Sequence, residues 1–354
     1  MSRIAAFFRQ TLEESKIAKI GELLKPIQKV KQKNSTSSPR RGQKRKSETA
    51  DNDEDGRLKI QVVEVVDLEK LKLLHDNIDV LYADFKAKDQ QKTLFMNYYD
   101  NTMKANGKRV VTYAQLEGRD DFGRLSPQNG VSLQNIRKDV RNTIAAHLYW
   151  QLDVSNAHPL ILTSIVKHLQ WNAPCLKRYV EHRQEVLDEL QVPFEKAKRA
   201  ILIIMYGGNA SENIGRPLSP FAKKFRSELI GIAEKIFKVN PGLVKRLGVP
   251  RLNSHKQKYS FLAHVLQDYE ARCLVAAHNI LKERGFHVGA LMHDGLLVLR
   301  RTDGVTIDES LLSAISEHID KTEQLQNIRF QLKEMGEGFD LAAVEAKNSQ
   351  NKIK

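Results

Sequence analysis

The chain has 354 residues, a formal net charge of +14 at pH 7 and a sequence pI near 9.6. Its length suffices for one large or two modest domains, and its excess of Lys and Arg favours a polyanionic partner. Two cysteines, Cys175 and Cys273, match no zinc-ligand spacing and exclude a disulfide framework, which indicates a reducing compartment. No apolar run reaches about 18 residues, so a membrane-spanning helix is not expected.

The first 58 residues predict a disordered basic tail. Residues 1 to about 20 have the spacing of a basic amphipathic helix, which suits a mitochondrial presequence except for Glu13 and Glu14. Residues 29–58 are poor in aromatic side chains and rich in polar ones. Within them, residues 39–46 (Pro-Arg-Arg-Gly-Gln-Lys-Arg-Lys) suit a nuclear import signal, a nucleic-acid tether or a merely solvated tail. We expect the nucleus as the location, with the mitochondrion as the alternative.

The folded part begins near Leu58, and its first half mixes helices with short extended segments. Apolar spacing predicts helices over residues 68–88 and 94–103, then a short strand over residues 109–113. Residues 118–130 have the composition of a polar loop, and residues 132–146 are expected to be helical in part.

The second half is richer in predicted helices. Residues 148–152 predict a strand, residues 288–292 a second one, and residues 296–300 its partner. Helices are expected between and around them, over residues 157–168, 176–190, 194–206, 221–237 and 261–284. The last 15 or so residues are expected to fray. This order predicts an α+β fold, a small sheet surrounded by helices.

Two acidic residues each follow a predicted strand. Asp153 ends the first apolar run and Asp294 ends the second. If the strands are neighbours, both carboxylates lie at one sheet edge, where they could hold two divalent ions about 3.5–4 Å apart. Lys198 lies between them in sequence and could neutralise a triphosphate. Ordinary aspartates that cap helices or turns are the alternative interpretation.

These segments resemble the motifs of family A DNA polymerases, the bacterial polymerase I type, and of the related single-subunit phage RNA polymerases. The family's motif A, D-Y-S-Q-I-E, resembles Asp-Val-Ser-Asn-Ala-His from Asp153. Its motif B has a lysine eight residues before a Tyr-Gly pair, as Lys198 stands before Tyr206-Gly207. Its motif C, H-D-E or H-D-S, resembles the His-Asp-Gly that begins at His293.

Further landmarks occur in the family's order over residues 118 to 300. Gly-Arg-Leu-Ser from Gly123 and Leu-Gln-Asn-Ile from Leu133 resemble a stretch that touches the primer–template duplex. Arg141 leads into motif A, and Gln267 resembles a glutamine that reaches the duplex from a helix before motif C. The short chain and the Asn-Ala-His-Pro run from Asn156 look most like the compact transposon- and virus-associated branch.

The resemblance implies a polymerase palm sheet, a helical fingers insertion and a reduced thumb-like N-terminal region. The expected order after the tail is a thumb-like, duplex-contacting region (59–145), palm with motif A (146–170), fingers (171–252), palm with motif C (253–340) and a frayed tail (341–354).

It also implies a role for each site residue. Asp153 and Asp294 would bind Mg²⁺ or Mn²⁺, with Lys198 and His293 completing the catalytic set. The substrate-binding residues would be Tyr206, His158, Asn156 and Gly207. The duplex would contact Arg124, Gln134, Asn135, Arg141 and Gln267. For each there is an ordinary structural alternative, such as a solvated lysine, a packed tyrosine, a hydrogen-bonded histidine or a surface polar side chain.

Four positions depart from the family's pattern. His158 replaces the glutamate that excludes the 2′-hydroxyl of ribonucleotides, which leaves the choice of sugar open. Leu202 stands at an aromatic position of motif B, and Phe194 replaces an arginine, although Lys196 and Arg199 lie nearby in sequence. Gly295 follows the second aspartate, so a third carboxylate is missing.

The predicted function is a template-directed polymerase that adds nucleoside triphosphates to a primer 3′ end by a two-metal mechanism, as a DNA-directed DNA polymerase. The expected partners are primer–template DNA, nucleoside triphosphates and a replicative helicase or primase, with no membrane. The alternatives are an RNA polymerase or primer-making enzyme of the same fold, a non-catalytic nucleic-acid-binding protein, and a phosphodiesterase using the same two acids.

Overall fold

The computed structural model describes residues 58–82, 88–115, 122–128, 130–238, 244 and 255–353. The predicted basic tail up to residue 57, with its amphipathic helix and its 39–46 cluster, lies outside the described residues. Residues 118–121 and 129 of the predicted 118–130 loop lie outside them too. The chain divides into two compact units. We call residues 158–267 the helical unit, and residues 58–115, 123–157 and 268–353 the sheet unit.

The sheet unit contains two antiparallel sheets. The first has the order β1 (Lys59–Val65), β2 (Lys108–Gln115) and β3 (Leu125–Pro127). The second is built from β4 (Tyr149–Val154), β5 (Val288–Leu291), β6 (Gly295–Leu299) and β7 (Phe330–Glu334), in the order β5-β6-β4-β7. The two motif-bearing segments of the sequence are therefore neighbours, because β4 pairs directly with β6.

Helices pack around these sheets within the same unit. They are α1 (Leu68–Asp76), α2 (Ile78–Tyr82), α3 (Lys88–Lys104), α4 (Lys138–Ala145), the part of α11 (His255–Glu283) from residue 268 onward, α12 (Glu309–Glu323) and α13 (Leu341–Ile353). One apolar cluster buries Leu71, Tyr98, Ile144 and Tyr149 together with side chains of β5 and β6. The Tyr149 hydroxyl donates to Val65 O at 2.9 Å and accepts from Val65 N at 2.8 Å, which fixes β4 to β1.

The helical unit begins after Ala157, the first residue of α5 (Ala157–His168). Next come α6 (Pro174–Glu181), α7 (Arg183–Asp188), α8 (Phe194–Met205), α9 (Ser211–Ile214), α10 (Pro220–Lys238) and the first part of α11. The buried face of α8 consists of small and aliphatic side chains: Ala197, Ala200, Ile201, Ile204 and Met205. The side chains at 194, 198, 202 and 206 form a stripe beside this buried face, and those at 194, 202 and 206 are exposed.

The structure confirms the α+β class, with antiparallel sheets and many helices, and corrects several elements. The predicted helix 68–88 stops at Asn77, whose side-chain amide donates to Leu73 O at 2.8 Å and so competes with the helical pattern. The predicted helix 176–190 breaks at His182. Part of the predicted loop at 118–130 is strand β3.

The predicted frayed end is instead helix α13, because Val344 is buried in the main cluster and Asp340 accepts from Ala343 N. Strands β1 and β7 and helix α12 were not predicted. The palm, fingers and thumb boundaries stay predictions. Among the described residues, no helix is both long and apolar enough to cross a membrane.

Candidate active site

The two aspartates meet where β4 ends and β6 begins. Asp153 stands opposite Gly295 in the ladder, and Val154 N donates to Asp294 O at 3.0 Å. Although they are 141 positions apart in sequence, the two aspartates are thus adjacent at one end of the central strands β4 and β6.

Gly295 is what permits this close approach. A Cβ atom at this position would collide with the Leu152 carbonyl oxygen and with Asp153 Oδ1. Any side chain after Asp294 would therefore push the two strands apart. The absence of a third carboxylate at this position, evident from the sequence, follows from the packing of the two strands.

Two side chains hold the Asp153 carboxylate. Gln151 Nε2 donates to both of its oxygens, at 2.9 and 2.8 Å, and Lys333 Nζ lies 3.5 Å from Oδ2. Sequence reasoning missed both. Gln151 could have been found, because residues two apart on a strand share a face. Lys333 could not, because it stands on β7, which was not predicted.

Asp294 and His293 are solvent-accessible but lie in a crowded electrostatic environment. Desolvation by the surrounding protein and then the charges of Asp153 and Glu270 raise the pKa of Asp294. Desolvation and the charge of Arg124 lower the pKa of His293. Glu270 is a further acid that sequence reasoning missed. It is buried on α11 and pairs with Arg124 Nε at 3.0 Å.

The donor set at this edge fits a divalent ion in part. Mg²⁺ typically takes one or two protein carboxylates and completes its shell with water and substrate phosphates. Asp153 and Asp294 supply two, and the charge of Asp153 penalises ionised Asp294 in a way that a cation between them would relieve. Across the described ranges, no group of three or more His, Cys, Asp or Glu side chains is arranged to hold a metal. The candidate site therefore offers a divalent ion two carboxylates, those of Asp153 and Asp294.

The residues expected to contact a duplex are largely engaged within the sheet unit. Gln134 is buried, and its Nε2 donates to Leu125 O at 3.2 Å and Leu291 O at 3.1 Å. Arg141 donates to Leu133 O at 3.1 Å, and Asn135 accepts from Ser132 N at 2.6 Å. Gln134 in this position is a crosslink between strands, and its duplex contact stays a prediction that requires the amide to be released. Asn135 is exposed and accessible to a ligand.

His158 and Tyr206, both expected at the substrate, are in contact in the helical unit. His158 is buried and its Nδ1 is hydrogen-bonded to the Tyr206 hydroxyl, with the rings edge to face at 5.8 Å. Gly207 has φ +78°, and a Cβ there would collide with the Tyr259 ring. Glycine is thus required for packing at this point, whatever its role toward a substrate.

Asn156, in the sheet unit, adopts φ 57° in the turn that joins β4 to α5, a conformation that Asn tolerates better than most residues. Gln267 is half-buried on α11. The substrate contact expected of Asn156 and the duplex contact expected of Gln267 stay predictions.

Lys198 lies on the open face of α8. Its Nζ is 3.1 Å from Glu195 Oε1 and 5.2 Å from the centroid of the Phe194 ring. Leu202 and Tyr206 continue the same face and are 48% and 36% exposed. Ala197, Ile201 and Met205 beside them are buried, so this stripe is available to a ligand at the border of the packed face of the helix.

Comparisons with known proteins give limited likenesses. No family model matches the chain. It is 28% identical over 200 residues to a protein of Sputnik virophage named "Putative helicase V13", which covers 53% of this chain. The chain spans about a quarter (25%) of that relative's length. Among solved structures, it is similar to the POL domain of Pol1 from M. smegmatis in complex with DNA primer-template and dNTP. That likeness has a TM-score of 0.42 and 14% identity, over 92% of this chain and 62% of the other.

Proposed function

We propose that the protein is a template-directed nucleic-acid polymerase that extends a primer 3′ end with nucleoside triphosphates, most simply a DNA-directed DNA polymerase. The observation that carries the proposal is the pairing of β4 with β6, which brings Asp153 and Asp294 to one sheet edge. Two adjacent carboxylates are suited to divalent ions, and burial together with the charge of Asp153 raises the pKa of Asp294. The basic composition supports a nucleic-acid partner.

In this mechanism the chain's residues have separate tasks. Asp153 and Asp294 would hold Mg²⁺ or Mn²⁺, which when bound activates the primer hydroxyl and stabilises the leaving pyrophosphate. Gln151 fixes the orientation of the Asp153 carboxylate through both oxygens. Lys333 neutralises that carboxylate before an ion arrives and, being half exposed, can swing away. Lys198 would bind the triphosphate, and His293 would support the primer end.

The helicase in the relative's name suggests a second assignment, which the sequence does not favour. Helicases that hydrolyse nucleotides through a phosphate-binding loop need a G-x-x-x-x-G-K-S/T segment, and this sequence has none. The match covers a quarter of the relative, so its name can describe the other part of that protein. We propose that this chain corresponds to a polymerase module and that a helicase is among its partners.

Primer extension with dNTPs and NTPs in parallel tests the proposal. We expect extension that requires Mg²⁺ or Mn²⁺, and a rate lower by several powers of ten in Asp153→Asn and in Asp294→Asn, because each carboxylate serves the transition state. Binding of a labelled primer–template should stay within about twofold of the native chain, because neither residue anchors the duplex.

Asp303→Asn is the matched control, since Asp303 is exposed and follows the far end of β6. Full extension by either active-site variant would refute the two-carboxylate site. Tight duplex binding without extension by the native chain would leave the non-catalytic binding protein as the better description.

A further inference from the structure

Two cations from different helices gather over one exposed aromatic ring in the helical unit. The Phe194 side chain at the start of α8 is 44% exposed. Lys198 Nζ lies 5.2 Å from the ring centroid, and the Arg183 guanidinium carbon of α7 lies 6.0 Å from it. A cation over an aromatic face is common, but two cations within 6.0 Å of the centroid of one open ring place two positive charges around the same side chain.

Lys198 and Arg183 differ in whether a described carboxylate balances their charge. Lys198 pairs with Glu195. Arg183 donates at 3.4 Å to the Tyr179 hydroxyl, and no carboxylate among the described residues forms an ion pair with it. Arg178, on the preceding helix, differs, because it also lies over a ring, that of Phe221, but is paired with Glu189. An uncompensated guanidinium beside a second cation is an environment that an anion stabilises.

The neighbouring surface indicates what kind of anion fits. Three of the five exposed large apolar side chains in the described part of the chain lie along this stripe of α8 and its C-cap: Phe194, Leu202 and Tyr206. A ligand with a flat apolar part and an anionic tail matches a surface that is apolar along its length and cationic at one end.

We propose that Arg183 is a nucleotide-binding residue whose guanidinium, together with Lys198, binds the triphosphate of the incoming nucleotide. The inference rests on the proposed function, which assigns the triphosphate to Lys198. The planar fork of Arg183 offers two parallel donors to one phosphate, which the ammonium of Lys198 does not. The Phe194 ring keeps the two cations apart and oriented when no ligand is present.

Steady-state primer extension with varied dNTP tests this assignment in Arg183→Ala, Arg183→Lys and the matched control Arg178→Ala. We expect Arg183→Ala to raise KM for dNTP about tenfold with a smaller change in kcat, because a charge-assisted contact to the ground-state triphosphate is lost. The inhibition constant of inorganic tripolyphosphate should rise by a similar factor. Arg183→Lys should recover part of the loss, and Arg178→Ala should stay within about twofold.

Equilibrium binding of tripolyphosphate by calorimetry separates this inference from the polymerase proposal. If the native chain binds tripolyphosphate and Arg183→Ala weakens that binding, the assignment stands even where no primer is extended. An extending enzyme whose KM and tripolyphosphate binding are both unaffected by Arg183→Ala overturns the assignment and leaves the polymerase proposal intact. A melting temperature equal to that of the native chain excludes misfolding as the cause.

Discussion

At the scale of single residues, glycine at position 295 decides whether the two aspartates can be neighbours. Because glycine has no Cβ, it leaves room for the Leu152 carbonyl and the Asp153 carboxylate. The close approach of the two acids therefore depends on glycine at this position. The glycine of the His-Asp-Gly sequence, where that sequence departs from the motif it resembles, is thus explained by strand packing.

Gly295→Ala should therefore damage both stability and activity. We expect the free energy of unfolding to fall by about 1–3 kcal/mol, as for other overpacked positions, and primer extension to fall further because Asp153 is displaced. Gly231→Ala is the control, since this position in α10 has free space around it and helix propensity favours alanine. Chemical denaturation and extension at a temperature below both melting points measure the two effects. Native activity in Gly295→Ala would show that the acids need no close contact.

The contact between His158 and Tyr206 gives a second prediction, on the choice of sugar. A histidine at this position can crowd a 2′-hydroxyl or hydrogen-bond to it, so we expect weak discrimination against NTPs, with dNTPs still preferred. His158→Ala should relax discrimination by about tenfold if crowding operates. Tyr206→Phe removes only the hydroxyl that holds His158 and should produce a smaller change in the same direction.

Competing incorporation of dNTP and NTP opposite one template base measures both variants. Loss of NTP use with dNTP use retained in His158→Ala would mean that His158 recognises the hydroxyl. The chain would then be better described as an RNA polymerase. An unchanged ratio in both variants would remove His158 from the sugar site.

At the scale of elements, a buried carboxylate of β1 connects the first sheet to the segment before motif A. Glu64 accepts from Leu133 N at 2.9 Å and from the Tyr113 hydroxyl at 3.1 Å, with Tyr98 and Arg109 also facing it. Burial, opposed by the Leu133 hydrogen bond and the Arg109 charge, raises the pKa of Glu64 from 4.5 to about 7. Neighbouring Gln134 in turn bonds Leu291 O on β5.

This carboxylate should make stability depend on pH. Between pH 4.5 and about 7 the folded chain keeps a proton on Glu64 that the unfolded chain releases, so the contribution of Glu64 to stability is most favourable at low pH and falls as pH rises toward 7. Glu64→Gln is neutral throughout and should lack this contribution. Between pH 5 and pH 8, we expect the free energy of unfolding of the native chain to fall by about 2–3 kcal/mol more than that of Glu64→Gln.

Urea denaturation at several pH values measures that difference. Asp100→Asn, an exposed acid on the helix that carries Tyr98, is the control. Parallel pH profiles for the native chain and Glu64→Gln would contradict the prediction. The difference between the two chains is informative because Asp268 and Glu323, whose pKa values burial also raises, contribute equally to both.

The elements found from sequence are those with strong periodicity. Helix α5 has the predicted bounds, and α8, α10 and both motif-bearing strands were located, because long apolar patterns survive tertiary packing. Strand β7 was missed since Phe-Gln-Leu-Lys-Glu carries only two apolar residues. Local sequence does not determine which strands pair or in which register. The contacts of Lys333 with Asp153 and of Glu270 with Arg124 therefore became evident only from the structure.

At the scale of the whole molecule, the basic N-terminal segment gives the last prediction. Deleting residues 1–57 should leave primer extension intact at low salt, weaken binding of primer–template, flatten its salt dependence, and reduce nuclear accumulation of a tagged chain. The reason is that this segment carries clustered Lys and Arg but neither aspartate of the site. Anisotropy titrations at several salt concentrations and fluorescence microscopy measure these effects.

Replacing the Lys and Arg residues within positions 39–46 by Ala in the full chain is the control, because it removes charge without shortening the protein. Nuclear accumulation that survives both changes would rule out an import signal there. Loss of extension at low salt on deletion would show that the segment belongs to the catalytic part of the protein.

The pairing of β4 with β6 also determines where this protein can change length during evolution. The acid pair depends on two short strands and their register, and inserting one residue within either strand would turn its side chains to the opposite face. Residues 158–267 belong to the other compact unit, so we expect an insertion or deletion there to leave the register of both strands unchanged. Relatives are therefore expected to vary in size between the two motifs while the distances within each motif stay constant.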